Sequence, residues 1–270
     1  MDGPILLVGS GKMGSALLQG WLARGADASQ VIVVEPGAGA SDTAAGLGVT
    51  VLADATLVDP GLRPRVIVFA IKPQAMDVAL PAYTAHAGGR AVFLSIAAGR
   101  SLASLQGLLG PKAAIVRAMP NTPAAVGRGM SVLCANAVAT GGDRAICEGL
   151  LAAVGDAAWV EDEALMDAVT AVSGSGPAYV FYLMECLAEA AVVAGLPAAL
   201  ASRLAEATVI GAAELCRQSA TPPATLRENV TSPGGTTEAA LNVLMGADGL
   251  QGPMTRAVAA AAARSREMAG

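Results

Sequence analysis

The chain has 270 residues, more than one domain usually holds, so we expect two domains that are each large enough to bury a core. Its net charge of −5 comes without a basic stripe, which excludes a nucleic-acid-binding protein. Its four cysteines lie more than ten residues apart, without a histidine-rich partner segment, which predicts neither a metal site nor a disulfide framework.

The chain starts almost directly with the apolar run "ILLV", without the basic region or cleavage site of a secretory signal, which predicts a cytoplasmic protein. Short apolar runs then alternate with helical stretches over the first 160 residues. Because the runs are apolar throughout, we expect strands buried on both faces of a parallel sheet, as in a Rossmann-type doubly wound α/β domain over residues 1–162. The predicted strands are 5–8, 31–35, 66–71, 91–95, 113–119, 130–134 and 158–161.

The first turn between strand and helix holds Gly9, Gly11 and Gly14 at GxGxxG spacing. This spacing is weak evidence in a chain with 32 glycines, but its position supports a dinucleotide site. Gly9 allows the tight turn, Gly11 lets the backbone approach a pyrophosphate, and Gly14 lets the helix pack on the strand.

Glu35 ends the second predicted strand, 21 residues after Gly14, where a carboxylate can accept hydrogen bonds from an adenosine ribose. Residues 36–62 contain no Lys or Arg that could pair with a 2′-phosphate. These residues favour NAD, while Lys12 and Ser41 leave NADP open. The alternative for Glu35 is a solvated charge at the end of a strand.

Two further loops follow strand ends, where ligands of open α/β sheets bind. They are "AIKPQ" (70–74) and "SIAAG" (95–99). Lys72 in the first loop is either a solvated cation or a cofactor contact.

Beyond residue 162 no further strand is predicted, and residues 163–270 are expected to form an all-helical domain. The most apolar helix, at about 177–194, contains Glu185 and Glu189, which favours a helix covered by its own protein or a partner subunit over a membrane span. Such a domain cannot cover its apolar surface alone, which predicts dimerisation. The predicted helices are 163–172, 177–194, 197–217, 224–231, 236–246 and 252–268.

The second half of the chain contains no Lys and no His. Reduction of a ketone or aldehyde by a nicotinamide needs a proton donor, usually Lys, His or Tyr. Tyr179 and Tyr182 have no lysine nearby, and His86 is typical of a surface residue. A protonated imine accepts hydride without a strong acid, so the sequence favours an imine as substrate.

Two loops rich in Ser, Thr and Gly each open a helix in this half, and each is either a ligand site or an ordinary helix cap. With them in place, the chain resembles the pyrroline-5-carboxylate reductase family nearly end to end. The motifs are, in order, "GSGKMG" (9–14), "AIKPQ" (70–74), "SIAAG" (95–99), "RAMPNTPA" (117–124), "VSGSGPAY" (172–179) and "SPGGTTEAAL" (232–241).

The resemblance implies NAD(P)H-dependent reduction of the imine of L-Δ1-pyrroline-5-carboxylate to L-proline, the last step of proline biosynthesis. Members commonly prefer NADPH, which conflicts with Glu35, so the cofactor is given as NADP or NAD. The helical domains of the family interlock into homodimers with a shared active site, and dimers assemble further, up to a decamer. No membrane or nucleic acid is expected as a partner.

Position by position, the resemblance also implies a site. Amides of Gly234, Gly235 and Thr236 would hold the ring carboxylate, and the Thr237 hydroxyl would be the catalytic contact to the ring nitrogen. The remaining substrate contacts would be Ser175, Gly176, Pro177 and Ser232, with the first three near the nicotinamide. The cofactor contacts would be Gly9, Ser10, Gly11, Lys12, Met13, Gly14, Glu35, Ala70, Ile71, Lys72, Pro73, Ala97 and Asn121.

Two alternatives stay open at this point. The same machinery could reduce a six-membered cyclic imine. A nucleotide-sensing protein on the same fold would bind cofactor without turnover.

Overall fold

A computed structural model describes residues 2–268 of the chain. These residues form two compact units. The first unit runs to Gly174 and takes in residues 261–268, and the second is Ser175–Ala260. The domain boundary expected at residue 162 stays a prediction, since the compact units divide twelve residues later (174 − 162).

The first unit is built on an eight-stranded sheet. Its strands are β1 Ile5–Val8, β2 Val31–Val34, β3 Thr50–Leu52, β4 Val66–Phe69, β5 Val92–Ser95, β6 Ala114–Met119, β7 Gly129–Ala135 and β8 Gly155–Trp159. They lie in the order β3-β2-β1-β4-β5-β6-β7-β8. β2 and β3 lie on one side of β1, and β4 and the later strands lie on its other side. The predicted doubly wound sheet is therefore confirmed.

The helices are α1 Lys12–Ala23, α2 Ala38–Ala45, α3 Met76–Ala79, α4 Leu102–Leu109, α5 Gly141–Ala152, α6 Met166–Val169, α7 Gly176–Val193, α8 Ala198–Gln218, α9 Pro223–Asn229, α10 Thr236–Leu244 and α11 Gln251–Met268. Short 3-10 helices lie at Ala28–Gln30, Ala55–Leu57, Pro73–Ala75, Leu80–His86, Thr122–Val126 and Glu163–Leu165, and a π-helix lies at Thr170–Gly174. The helix predicted at 163–172 is therefore three short turns of different pitch.

The sheet has an apolar core on each face because neighbouring residues of a strand point in opposite directions. Leu7 of β1 packs in a cluster with Leu18 and Trp21 of α1. Leu6, its neighbour in sequence, packs in the other cluster with Leu80. All five side chains are at most 2% exposed, which explains why the strands are apolar at every position.

Two features of the sheet differ from the sequence-based prediction. β3 was missed, because it is a three-residue edge strand that is only partly buried. β7 runs antiparallel to β6 rather than parallel. The connection between them, residues 120–128, holds only a short 3-10 helix, which is too little chain for the crossover that a parallel pair needs.

In the second unit, α7 and α8 pack against each other, but no residue of α7 is buried. Phe181 and Tyr182 are 59% and 66% exposed. Of the two predicted covers, the described residues of this chain do not supply one, and cover by a partner subunit stays a prediction. By length and composition alone, Glu163–Val193 could cross a membrane, although it carries four carboxylates.

Candidate active site

The glycine turn joins β1 to α1 at the edge of the sheet where the parallel strands end. Gly9 has a φ of +92°, and a Cβ added there would lie 2.7 Å from Cγ2 of Ile71. A Cβ on Gly14 would overlap the carbonyl oxygen of Gly9. At Gly11 a Cβ would meet nothing within 4 Å, and no side chain caps the start of α1. The turn thus offers an open backbone and a positive helix end, which fit a dinucleotide pyrophosphate.

The other predicted residues of this turn differ in exposure. Ser10 is 2% exposed, and its side chain donates a hydrogen bond to the carbonyl oxygen of Ala40 at 3.2 Å. Lys12 is exposed and Met13 is partly buried. Ser10 therefore supports the turn from inside, while Lys12 is the basic group that this turn presents to solvent.

Glu35 follows β2 and is bonded to the glycine turn. Its Oε2 accepts a hydrogen bond from the Ser10 amide at 2.7 Å, and its Oε1 accepts one from the Gly37 amide at 2.8 Å. Glu35 is therefore not a freely solvated charge. It sits beside the turn at the position where a ribose contact was predicted.

The loops after β4 and β5 carry the next group of predicted cofactor contacts: Ala70, Ile71, Lys72, Pro73 and Ala97. They lie at the same edge as the glycine turn because β1, β4 and β5 are parallel neighbours. Arg100 fixes the first loop by donating to the Pro73 carbonyl at 2.9 Å and pairing with Asp77 at 2.7 Å. This contact lowers the pKa of Asp77.

Asn121 lies in the loop after β6, and its side chain is used within the protein. Its Oδ1 accepts from the Met130 amide at 2.9 Å, and its Nδ2 donates to the Ser173 carbonyl and hydroxyl at 3.2 Å. Asn121 thus clamps this loop to the π-helix, a form often found at functional sites. Both polar atoms of the Asn121 side chain therefore have partners within the protein.

Asn121→Ala is expected to lower the free energy of unfolding by about 1–3 kcal/mol, because the Met130 amide loses its partner in a partly buried place. Chemical denaturation of the full chain measures this change. Asn121→Asp keeps the acceptor for the Met130 amide and removes the donors to Ser173, so its free energy of unfolding should fall by less. Equal stability of wild type and Asn121→Ala would contradict the clamp.

A second, buried contact holds the segment before the π-helix. Arg117 on β6 is 5% exposed and pairs with Glu163 at 2.7 Å. Glu163 also accepts a hydrogen bond from the Leu102 amide at 2.8 Å. Cys134, opposite Arg117 on β7, is buried, which raises the pKa of its thiol to about 11. This pair was not predicted from the sequence, although Arg117 opens the "RAMPNTPA" motif.

In the second unit, α7 begins at Gly176, with Ser175 before it and Pro177 in its first turn. No side chain caps this helix start, and a Cβ on Gly176 would meet nothing within 4 Å. The predicted substrate contacts Ser175, Gly176 and Pro177 thus form an open helix start.

The loop that precedes α10 carries the remaining predicted substrate contacts, from the exposed Ser232 to Thr237. Two of the predicted amides have partners within the protein. The Gly234 amide donates to Oε2 of Glu238 at 2.7 Å, and the Gly235 amide donates to the Ser232 carbonyl at 2.9 Å.

No side chain caps α10, so its first amides, those of Thr236 and Thr237, have no side-chain partner. Thr237 is half-buried, whereas Thr236 is exposed. Glu238 was not predicted from the sequence, although a carboxylate in the first turn of a helix is itself a signal for a contact with backbone amides.

His86 lies at the other edge of the sheet from the glycine turn, since it precedes β5 rather than following a parallel strand. Burial, together with the neighbouring Arg63, lowers the pKa of its imidazole. Among residues 2–268, no group of three or more His, Cys, Asp or Glu side chains could hold a metal ion.

Comparisons with known proteins match both halves of the chain. Residues 163–268 match the family described as pyrroline-5-carboxylate reductase dimerisation, and residues 4–99 match the family described as NADP oxidoreductase, coenzyme F420-dependent. A pyrroline-5-carboxylate reductase of Pseudomonas aeruginosa is 41% identical over 98% of this chain and 96% of its own length.

Two solved structures are similar along the whole chain. A pyrroline-5-carboxylate reductase from Coxiella burnetii is 33% identical, with a TM-score of 0.93 and full coverage of both chains. A Plasmodium falciparum pyrroline carboxylate reductase with NADP bound is 28% identical, with a TM-score of 0.82 over 100% of this chain and 99% of that one.

Proposed function

The chain belongs to the pyrroline-5-carboxylate reductase family, and from this premise we propose how its residues reduce L-Δ1-pyrroline-5-carboxylate to L-proline with NADH or NADPH. The observation that carries the proposal is the start of α10, where uncapped amides adjoin the half-buried Thr237 in a half of the chain without Lys or His. Such a site can bind an anion and orient a nitrogen, but it offers no strong acid.

A site without a strong acid is sufficient when the substrate is an imine. A reduced nicotinamide, when bound, supplies hydride. The hydride forms a bond to C5 of the protonated imine, and the C=N π electrons become the lone pair of the nitrogen. The nitrogen already carries its proton, so no acid is needed at the reacting carbon. The product amine takes up a further proton from water.

The backbone amides and the Thr237 hydroxyl at the start of α10 then have separate roles. The amides of Thr236 and Thr237 bind the ring carboxylate, helped by the positive end of the helix. The iminium N–H donates a hydrogen bond to Oγ of Thr237, which fixes the orientation of the ring. The contacts of Gly234 and Gly235 described above support this revision of the predicted amide set.

Glu238→Gln is expected to lower KM for pyrroline-5-carboxylate, because Glu238 holds a negative charge against the Gly234 amide beside the proposed carboxylate site. Exposed charge interactions reach about 1 kcal/mol, so we expect a decrease of about two- to fivefold in KM with kcat unchanged. Steady-state kinetics measure both constants.

Glu228→Gln is the matched control, since it removes the same charge from α9, and its KM should stay at the wild-type value. A KM that rises in Glu238→Gln would mean that Glu238 shapes the loop rather than opposing the substrate.

Ring size tests the proposed substrate against the six-membered alternative. We expect a higher kcat/KM for the five-membered imino acid than for its six-membered analogue, as in other sites where one methylene changes the fit. The reverse order would assign the enzyme to the larger ring.

The match to a dimerisation family supports a homo-oligomer. We propose a homodimer through the helical region, because α7 leaves its apolar side chains exposed in a single chain. Further assembly to a decamer and the cytoplasmic location stay predictions.

A further inference from the structure

The carboxylate of Glu35 lies at the carboxyl end of β2 and accepts a hydrogen bond from the glycine turn. We propose that this carboxylate makes the enzyme prefer NADH to NADPH. The proposal rests on the proposed function only in taking a nicotinamide dinucleotide as the cofactor. The 2′ position of the adenosine ribose distinguishes the two cofactors, with a hydroxyl in NADH and a phosphate in NADPH.

The position of the carboxylate is fixed by the backbone on two sides. Oε2 accepts from the Ser10 amide at 2.7 Å, and Oε1 accepts from the Gly37 amide at 2.8 Å. Ser10 is 2% exposed, so a carboxylate that turned away would leave its amide buried without a partner. Glu35 therefore cannot move aside at low cost when a second anion approaches.

The surrounding charge does not compensate for Glu35. Residues 36–62, which include α2 and the segment after β3, contain no Lys or Arg. They contain three further acids, Asp42, Asp54 and Asp59. The adjoining glycine turn contributes one cation, Lys12 at the start of α1, against these four carboxylates.

The two cofactors meet this carboxylate differently. A carboxylate oxygen has two lone pairs, so each oxygen of Glu35 can accept a ribose hydroxyl in addition to the backbone amide it already holds. A 2′-phosphate has no proton to donate in its dianionic form and faces a like charge. The geometry therefore favours the hydroxyl of NADH.

Binding of the oxidised cofactors to the purified full chain, measured by calorimetry without substrate, tests the proposal directly. We expect NAD⁺ to bind at least about tenfold more tightly than NADP⁺, since like charges brought together oppose binding strongly. The ratio of kcat/KM for NADH to that for NADPH should show the same preference. Equal binding, tighter binding of NADP⁺, or no binding of either would overturn the proposal.

Two variants distinguish an effect of the Glu35 charge on cofactor binding from an effect on folding. Glu35→Gln keeps the size of the side chain and an acceptor oxygen but removes the charge, so the NAD⁺ to NADP⁺ affinity ratio should fall to about one. Ala38→Arg adds a cation at an exposed position in the first turn of α2 and leaves Glu35 in place. It should lower the ratio by tightening NADP⁺ binding while NAD⁺ binding is kept. An unchanged ratio in both variants would overturn the assignment to Glu35.

The outcomes also separate this proposal from the proposed function. Tighter NAD⁺ binding without turnover of pyrroline-5-carboxylate would keep the cofactor preference and reject the reaction. Efficient turnover with NADPH preferred would keep the reaction and reject the preference.

Discussion

Thr237→Ala is expected to lower kcat/KM for pyrroline-5-carboxylate by about 10- to 100-fold. The variant removes the hydroxyl that accepts a hydrogen bond from the charged iminium nitrogen. Hydrogen bonds to charged groups are worth about 1.5–3 kcal/mol, and each 1.4 kcal/mol of transition-state stabilisation is about a factor of ten in rate. The amide of residue 237 remains, so the carboxylate contact is kept and the loss should fall mainly on orientation of the ring.

Two neighbouring variants make this result specific. Thr237→Ser keeps the hydroxyl and should retain most of the activity. Thr236→Ala removes the same chemical group one residue earlier, at an exposed position, and should leave kcat/KM near the wild-type value. Cofactor affinity should be the same in all three variants. Unchanged turnover and substrate affinity in Thr237→Ala would show that the assignment of Thr237 is wrong.

Gly14→Ala is expected to destabilise the protein by about 3 kcal/mol or more, at the upper end of what inserted methyl groups cost in a packed core. The added Cβ would overlap the Gly9 carbonyl oxygen, which is backbone and part of the same tight turn. The start of α1 would have to move away from β1. The midpoint of chemical denaturation, measured on the full chain, reports this loss.

Gly11→Ala is the matched comparison within the same turn. Its Cβ would meet no protein atom within 4 Å, so the denaturation midpoint should not change. The Cβ would instead occupy the space that the backbone leaves for a pyrophosphate, and we expect nucleotide affinity to fall about tenfold or more. A stable Gly14→Ala protein, or a Gly11→Ala protein with unchanged nucleotide affinity, would contradict the roles given to the two glycines.

The sheet could largely be predicted because its strands are buried on both faces and therefore apolar at every position. β1 shows this most clearly, since all four of its residues are buried. The same signal fails at β3, where a short edge strand is partly exposed. The apolar pattern also gives no information on strand direction, which is why the antiparallel β7 was not predicted.

The site could be predicted only where backbone conformation sets the residue type. Gly9 and Gly14 are required by a positive φ and a close approach, and both requirements are visible as sequence spacing. The hydrogen-bond partners of Asn121 and Glu35 were not visible, because they depend on side-chain conformation and on segments far apart in sequence. Glu238 contacts an amide only four residues away, and its place in the first turn of a helix was the signal for that contact. Asn121 and Ser173, for example, are 52 residues apart.

The most direct test of the enzyme's function is oxidation of reduced nicotinamide in the presence of L-Δ1-pyrroline-5-carboxylate. Purified protein is mixed with the substrate and with NADH or NADPH in turn, and nicotinamide absorbance is followed together with proline formation. We predict loss of absorbance that requires the substrate and matches the proline formed mole for mole. No loss of either cofactor, with a protein that is folded and binds the nucleotide, would contradict the assignment of imine reduction.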